Sequence, residues 1–250
     1  MLCNRSIIKW VGLLSLTMSL QLLNAQPDKL GLPESRQIVR HFAYTLEYSE
    51  EHEQARWVAY VLTADMIDGP WERCEHFRPD PMVASGSADL SDYRGSGFDR
   101  GHLAPAGDMR WDSIAMCESF YMSNMSPQRP GFNRGIWKRL EAQVRIWADE
   151  NEEIWIVTGP VLTDDLPTIG VNEVSIPDYF YKVVIDIKEP DMKGIGFVMP
   201  NQRSSKPIES FAVTIDSVEV LTGLDFFSAL PDSLEHLLES SIGFIDDQED

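Results

Sequence analysis

Cysteine is scarce in this 250-residue chain. Its three cysteines, Cys3, Cys74 and Cys117, are too few and too far apart for a disulfide scaffold or a zinc site. Cys74 and Cys117 can pair or stay free, and their spacing leaves both open. Cations are also in short supply: 21 Lys and Arg stand against 40 Asp and Glu, for a net charge of −19. That balance argues against sequence-blind adhesion to nucleic acid by the surface as a whole, because phosphate contacts need Lys or Arg. There is no internal repeat and no low-complexity segment, so repeat architectures are excluded.

After residue 25 no apolar run approaches membrane-spanning length. Before it, WVGLLSLTMSLQLL (Trp10 to Leu23) follows Arg5 and Lys9 and is short and interrupted for a bilayer span. Ala25 then precedes Gln26 as at a signal-peptidase junction, although Leu23 is bulkier than the preferred small residue. Residues 1–25 are expected to be a signal peptide, with a single N-terminal anchor as the alternative. The expected protein is exported, periplasmic or secreted, with no stable membrane association once the segment is removed. Cys3 lies ahead of the apolar run, the wrong place for a lipoprotein cysteine. Losing Arg5 and Lys9 would make the net charge −21.

The remainder is long enough for one substantial core. Residues 26–37, broken by Pro27 and Pro33, read as a polar leader, and residues 38–245 as the folded domain. HFAYTLEYS and ARWVAYVLT are rich in aromatic and branched residues and flank an acidic turn, which predicts a hairpin. Residues 68–97 carry the Gly, Pro, Ser and Asp of a long surface connection, and such loops are often functional. A short helix is expected from Asp112 to Tyr121. Ile136, Trp137, Leu140, Val144 and Trp147 then recur at helical spacing. EIWIVTGPVL, YFYKVVIDI, GIGFVMPN and FAVTID read as strands, and SALPDSLEHLLES as a helix after Pro231. Strands and helices do not alternate one for one, so the fold class is α+β with a central, largely antiparallel sheet flanked by helices.

Charge is unevenly spread. DSLEHLLESSIGFIDDQED is almost free of cations, whereas Arg94, Arg100, Arg110, Arg129, Arg134, Lys138, Arg139 and Arg145 crowd one stretch. A locally basic cleft in an acidic protein can still attract a polyanion at contact distance.

Within that stretch, FDRGHLAPAGDM sets Asp99, Arg100 and His102 side by side. The imidazole is the natural general base at neutral pH, taking a proton from water or a hydroxyl, though a lone histidine is more often structural. Asp99 or a backbone carbonyl could hold its tautomer, Gly101 is expected to turn the chain, and Arg100 could face an anion. The glycine spacing of GSGFDRGH is not that of a phosphate-cradling loop. Further on, SNMSPQRPGFNRGIWKRLE brings Asn124, Gln128, Asn133 and Glu141. Asn133, Trp137 and Glu141 are spaced by fours and would share one face of a helix starting at Asn133. Asn133 could simply cap that helix. A carboxylate on the stripe of a buried tryptophan would still need a partner. A hydrated divalent cation answers both, with the amide oxygen as ligand and the acid on bound waters, and that ligand set suits magnesium.

DRGH, HLAPAGDM, SNMSPQ and FNRGIWKRLE, in that order, resemble the DNA/RNA non-specific endonuclease family of the ββα-metal superfamily. The resemblance runs from about Arg56 to Glu141, with weaker pieces in VTGPV, IPDYFYKVV, FVMPN and LTGLDFF. DRGH followed by N-x₈-N-x₇-E is the specific part. The resemblance implies a ββα-metal nuclease domain that hydrolyses phosphodiesters of DNA and RNA with little sequence specificity, using one magnesium ion, or manganese, and leaving 5′-phosphates. It implies His102 as general base, Asn133 as direct metal ligand, Glu141 as the residue orienting metal-bound waters, and Asn124 as an amide arranging the site. Arg73 matches the family's phosphate-binding arginine, with Arg78 in WERCEHFRPDP as the alternative; Arg100, Arg78 and Arg134 are expected to contact substrate. A homodimer stays open. So do two other readings: a polyanion- or protein-binding module on a degenerate nuclease fold, and a phosphodiesterase for a smaller substrate.

Overall fold

Aromatic and β-branched residues suit the pleated, packed surface of a sheet, and the segments rich in them form the centre of the molecule. The computed structural model describes residues 27–33 and 35–245; the expected signal peptide, with Cys3, lies outside them. In chain order the strands are β1 (Ile38–Arg40), β2 (Thr45–Ser49), β3 (Gln54–Thr63), β4 (Asp99–His102), β5 (Met125–Gln128) and β6 (Glu153–Pro160). There follow β7 (Thr168–Ile169), β8 (Val174–Ser175), β9 (Tyr179–Asp186), β10 (Lys193–Pro200) and β11 (Ala212–Val213). Seven of them form one sheet in the order β1-β2-β3-β6-β9-β10-β11. Every neighbouring pair in it is antiparallel. β4 pairs only with β5, and β7 with β8.

Successive side chains of a strand point to opposite faces, and both faces of this sheet are covered. On one, Tyr60, Ile156, Phe180, Val184 and Phe197 pack against Trp137, Leu140, Val144 and Trp147 of the long helix. On the other, Trp57, Trp155, Tyr181 and Val183 pack against Ile215, Val218 and Leu238. These last belong to two helices, Ile215–Thr222 and Asp232–Glu239. No described helix is long and apolar enough to cross a membrane.

Several expectations need adjusting. Of FAVTID only Ala212 and Val213 are strand; Thr214 Oγ1 accepts from the Ser217 amide at 3.2 Å and starts a helix, as a threonine N-cap does. The segment read as a polar leader contains a 3₁₀ turn, Pro27–Leu30, whose Leu30 is buried in the core under the sheet. The connection from residue 68 to 97 is pinned by buried aspartates. Asp80 accepts from Ser123 Oγ at 2.5 Å and meets His41 Nε2 at 2.9 Å, and Asp92 accepts from the Val171 and Asn172 amides. Finally, the helix expected from Asn133 begins with a π-helical turn, Phe132–Trp137, and becomes α-helical over Lys138–Asn151.

Candidate active site

Strands β4 and β5 form a two-stranded ribbon in which Gly101 faces Ser126 and His102 faces Met125. Gly101 is therefore mid-strand and not a turn. Its lack of a side chain is required by a close crossing: a Cβ there would lie 2.1 Å from Cδ of Gln128. The crossing leaves His102 at the end of the strand, 9% exposed, with its ring edge-on to Phe120 at 4.8 Å and near Phe77 at 5.8 Å. Its Nε2 is buried and has no hydrogen-bond partner among the described residues. Burial, with the charges of Arg73 and Arg100, brings its pKa down to about 3. The ring is thus neutral at ordinary pH, with its Nε2 unengaged.

The Asn124 amide makes its hydrogen bonds to the backbone that follows the histidine and not to the ring. Its Nδ2 donates to the carbonyls of Ala104 and Ser119, at 3.0 and 2.8 Å, and its Oδ1 accepts from the Ala104 amide at 2.9 Å. Asp99 does not hold the His102 tautomer either. Its carboxylate accepts from Asn133 Nδ2 at 2.9 Å and from two nitrogens of Arg134 at 2.8 and 2.6 Å. Burial opposes ionisation of Asp99, but the bonds from Arg134 and Asn133 outweigh it and hold the carboxyl below the usual range.

The π-helical turn changes how Asn133 and Glu141 relate. Gly135, at φ −110° and ψ −110°, breaks regular helical geometry between them, so spacing by fours no longer means one face. Trp137 goes fully into the core, whereas Asn133 stays half-buried and reaches back to β4. It is not a cap; no side chain caps this helix start. Glu141 is half-buried and its carboxyl is pushed up by burial, opposed by the charge of Lys182. Lys182, on β9, is fully buried, its Nζ lies 5.0 Å from the Trp137 ring centre, and it has no hydrogen-bond partner among the described residues. Burial pulls its pKa down. Alongside, Arg145 donates to the buried Asp108 at 2.8 Å, and Asp108 accepts from Tyr60 at 2.8 Å. A network of buried charge therefore lies beneath the catalytic-looking helix.

The two candidate arginines part company. Arg73 sits over the Phe120 ring at 5.2 Å, half-exposed, and its charge acts on both His102 and Glu141. Arg78 donates to the carbonyls of His76 and Cys117 at 3.0 and 2.9 Å and stacks on Tyr121 at 4.1 Å. Arg100 stacks on Phe77 at 4.1 Å, beside a shallow cavity of about 300 Å³ that Asp99 and Phe98 also line. Arg134 is largely exposed despite its grip on Asp99. Cys74 and Cys117 are free, neighbouring thiols, and the interaction with Cys74 pushes the Cys117 thiol up.

Sequence reasoning missed Lys182, Asp108, Tyr60 and Arg145 as companions of Glu141. One sign was legible: in YFYKVV the lysine shares a strand face with Phe180 and Val184, an inward register where a lone cation needs a reason. The donor types are those a hard divalent cation takes. Asp99 takes the N–H end of the Asn133 amide, leaving its oxygen as the available ligand, and Glu141 adds a second oxygen donor.

The sequence profile of the DNA/RNA non-specific endonuclease family matches residues 24–233. The chain belongs to this family. Similar members include the mitochondrial nuclease EXOG of Danio rerio, 38% identical over 220 residues, which are 81% of this chain and 64% of that protein. Mitochondrial endonuclease G of Homo sapiens is 35% identical over 79% of this chain and 72% of its own length. Nuclease C1 of Cunninghamella echinulata var. echinulata is 36% identical over 78% and 84% respectively. Against the EXOG proteins of Danio rerio and Mus musculus, the chain spans 64% and 60% of their length. Among solved structures, a crystal structure of an EndoG/EndoGI complex, described as giving the mechanism of EndoG inhibition, superposes with a TM-score of 0.78 at 35% identity. It covers 85% of this chain and 93% of that one. In this endonuclease-family member the ββα unit is β4, β5 and the helical stretch from Phe132 to Asn151.

Proposed function

We propose that the protein is a metal-dependent endonuclease that hydrolyses the phosphodiester bonds of DNA and RNA with little sequence preference. The observation that carries this reading is a neutral, buried imidazole whose Nε2 is unengaged, on the same ββα unit as an asparagine whose amide N–H is already committed. His102 takes a proton from the attacking water as its oxygen bonds to phosphorus. The bond from phosphorus to the 3′ oxygen breaks, leaving a 5′-phosphate and a 3′-hydroxyl. Arg73 binds the phosphate and offsets the charge that develops in the transition state. Asn133 would hold a magnesium ion directly and Glu141 would hold it through water; when bound, it would supply charge stabilisation at the phosphate and the leaving oxygen. Arg100 and Arg134 guide the backbone past the site. Base identity matters little because the reacting group is common to every sequence. The basic N-terminal start and the apolar run of residues 10–23 support export as the route to substrate.

Supercoiled plasmid and a structured RNA, each incubated with purified protein plus magnesium or plus chelator, test the reading. Nicking of both that requires the metal is the expected result. Intact nucleic acid at every metal concentration, in folded protein, would overturn it; hydrolysis of a small diester alone would point to the narrower phosphodiesterase.

A further inference from the structure

On the face of the sheet away from His102, the two C-terminal helices bring three carboxylates together. Asp216 and Glu219 stand one turn apart on the Ile215–Thr222 helix, and Glu239 ends the Asp232–Glu239 helix. Oxygens of all three lie within 4.8 Å of one another. Like charges this close repel, and an i, i+3 acidic pair on one helix already destabilises it slightly. Exposed acids tolerate that; Glu239 is not exposed. It is 6% accessible, and its Oε1 is buried with no hydrogen-bond partner among the described residues. Burial, then Glu219, Glu235, Asp216 and Asp225, push its carboxyl up to about 8. Burial and neighbouring acids also raise Glu219 and Glu235.

A buried, unpartnered carboxylate facing two others is the arrangement that a hard cation satisfies. We propose that Asp216, Glu219 and Glu239 bind a calcium ion that fastens the two C-terminal helices to each other. Carboxylates carried on two separate helices and open to water on one side suit the flexible six- to eight-oxygen shell of calcium better than the strict octahedron of magnesium. Glu219 has an oxygen to spare, since Oε1 accepts from the Phe226 amide at 2.7 Å. Water completes the shell on the exposed Asp216 side. The helices sit hard on β10, where a Cβ on Gly194 would lie 2.4 Å from the Leu238 carbonyl, so the ion would tie them where they already touch the sheet. The site stands apart from the proposed nuclease centre and does not depend on that reading.

Thermal unfolding and calorimetry of the full chain, stripped with chelator and titrated with calcium, provide the test. Wild type is expected to bind one calcium at this site and to unfold at a higher temperature with it. Glu239→Gln should lose that response, yet unfold in chelator no earlier than wild type, because without the ion burial already keeps this carboxyl mostly protonated and the neutral amide is close to it in size and polarity. Asp216→Asn, on the exposed side, should fold normally and bind calcium about tenfold or more weakly. Asn133→Ala should keep the response. The proposal falls if millimolar calcium gives neither binding heat nor a shift in wild type. It falls equally if the response survives in both Glu239→Gln and Asp216→Asn while Asn133→Ala abolishes it.

Discussion

The Asp99 carboxylate takes the side-chain N–H of Asn133 at 2.9 Å, and this one bond decides which end of the amide faces outward. Asp99 is itself held ionised by Arg134, so the arrangement is in place before any cation arrives. Asn133→Ala is expected to raise the magnesium needed for half-maximal cleavage by about tenfold or more, and Asp99→Ala to shift it in the same direction by about tenfold, as loss of a supporting partner typically does. Magnesium titrations of plasmid cleavage check both. Wild-type titration curves in both variants would reduce Asn133 to a residue of the helix start.

Arg73 and Arg78 have opposite surroundings, so their replacements should fail in opposite ways. Arg73 acts on His102 and Glu141, whereas Arg78 is spent on two backbone carbonyls and the Tyr121 ring. Arg73→Ala should lower kcat by about 10²–10³ with little change in stability. Arg78→Ala should cost about 1–3 kcal/mol of stability and leave the turnover of folded protein nearly intact. The reverse pattern, from kinetics and urea unfolding, would exchange their roles.

His102 makes stability depend on pH with a definite sign. Its folded pKa is about 3 against an ordinary 6.5, so as pH falls the unfolded chain takes up the proton first. Stability from this residue is present above the ordinary value and is lost progressively as pH falls from 6.5 toward 3. Urea unfolding at pH 7 and pH 4.5 should show a smaller difference for His102→Asn than for wild type. Equal differences would mean the imidazole is not desolvated as described.

Lys182 tests the buried network under the helix. Its charge pulls the Glu141 carboxyl down against burial, so Lys182→Met should let that carboxyl rise. The acid limb of the pH–rate profile should then move to higher pH, and the rate at pH 7 fall by about tenfold. Arginine is too large to restore a fully enclosed lysine site and should not rescue. A superimposable profile would leave Lys182 with packing alone.

Much of this was legible in the residues, and the rest fails for physical reasons. The β2–β3 hairpin, the central strands and the helix through Trp147 follow from periodicity and composition, because those segments bury what their pattern says. Gly101 misled because a glycine between polar residues reads as a turn, and the Gln128 side chain it must clear comes from another strand. Asn133 misled because spacing by fours assumes 3.6 residues per turn, and Gly135 locally breaks that geometry. Thr214 ended a strand reading because a cap is one residue and the apolar pattern runs through it. Asp108, Tyr60 and Lys182 lie on separate elements, and nothing local in the chain says that they meet beneath Glu141. Of the two arginines near the FRPDP segment, sequence offered a choice, and in the fold each lies over a different ring, Arg73 over Phe120 and Arg78 over Tyr121.

The rate at which folded His102→Ala protein cuts a labelled duplex in a single turnover, at saturating magnesium, bears most directly on the proposed base. A loss of about 10²–10⁴-fold is expected, with the circular dichroism spectrum and the magnesium titration unchanged. Cleavage within about tenfold of wild type by that folded variant would contradict a general-base role for His102.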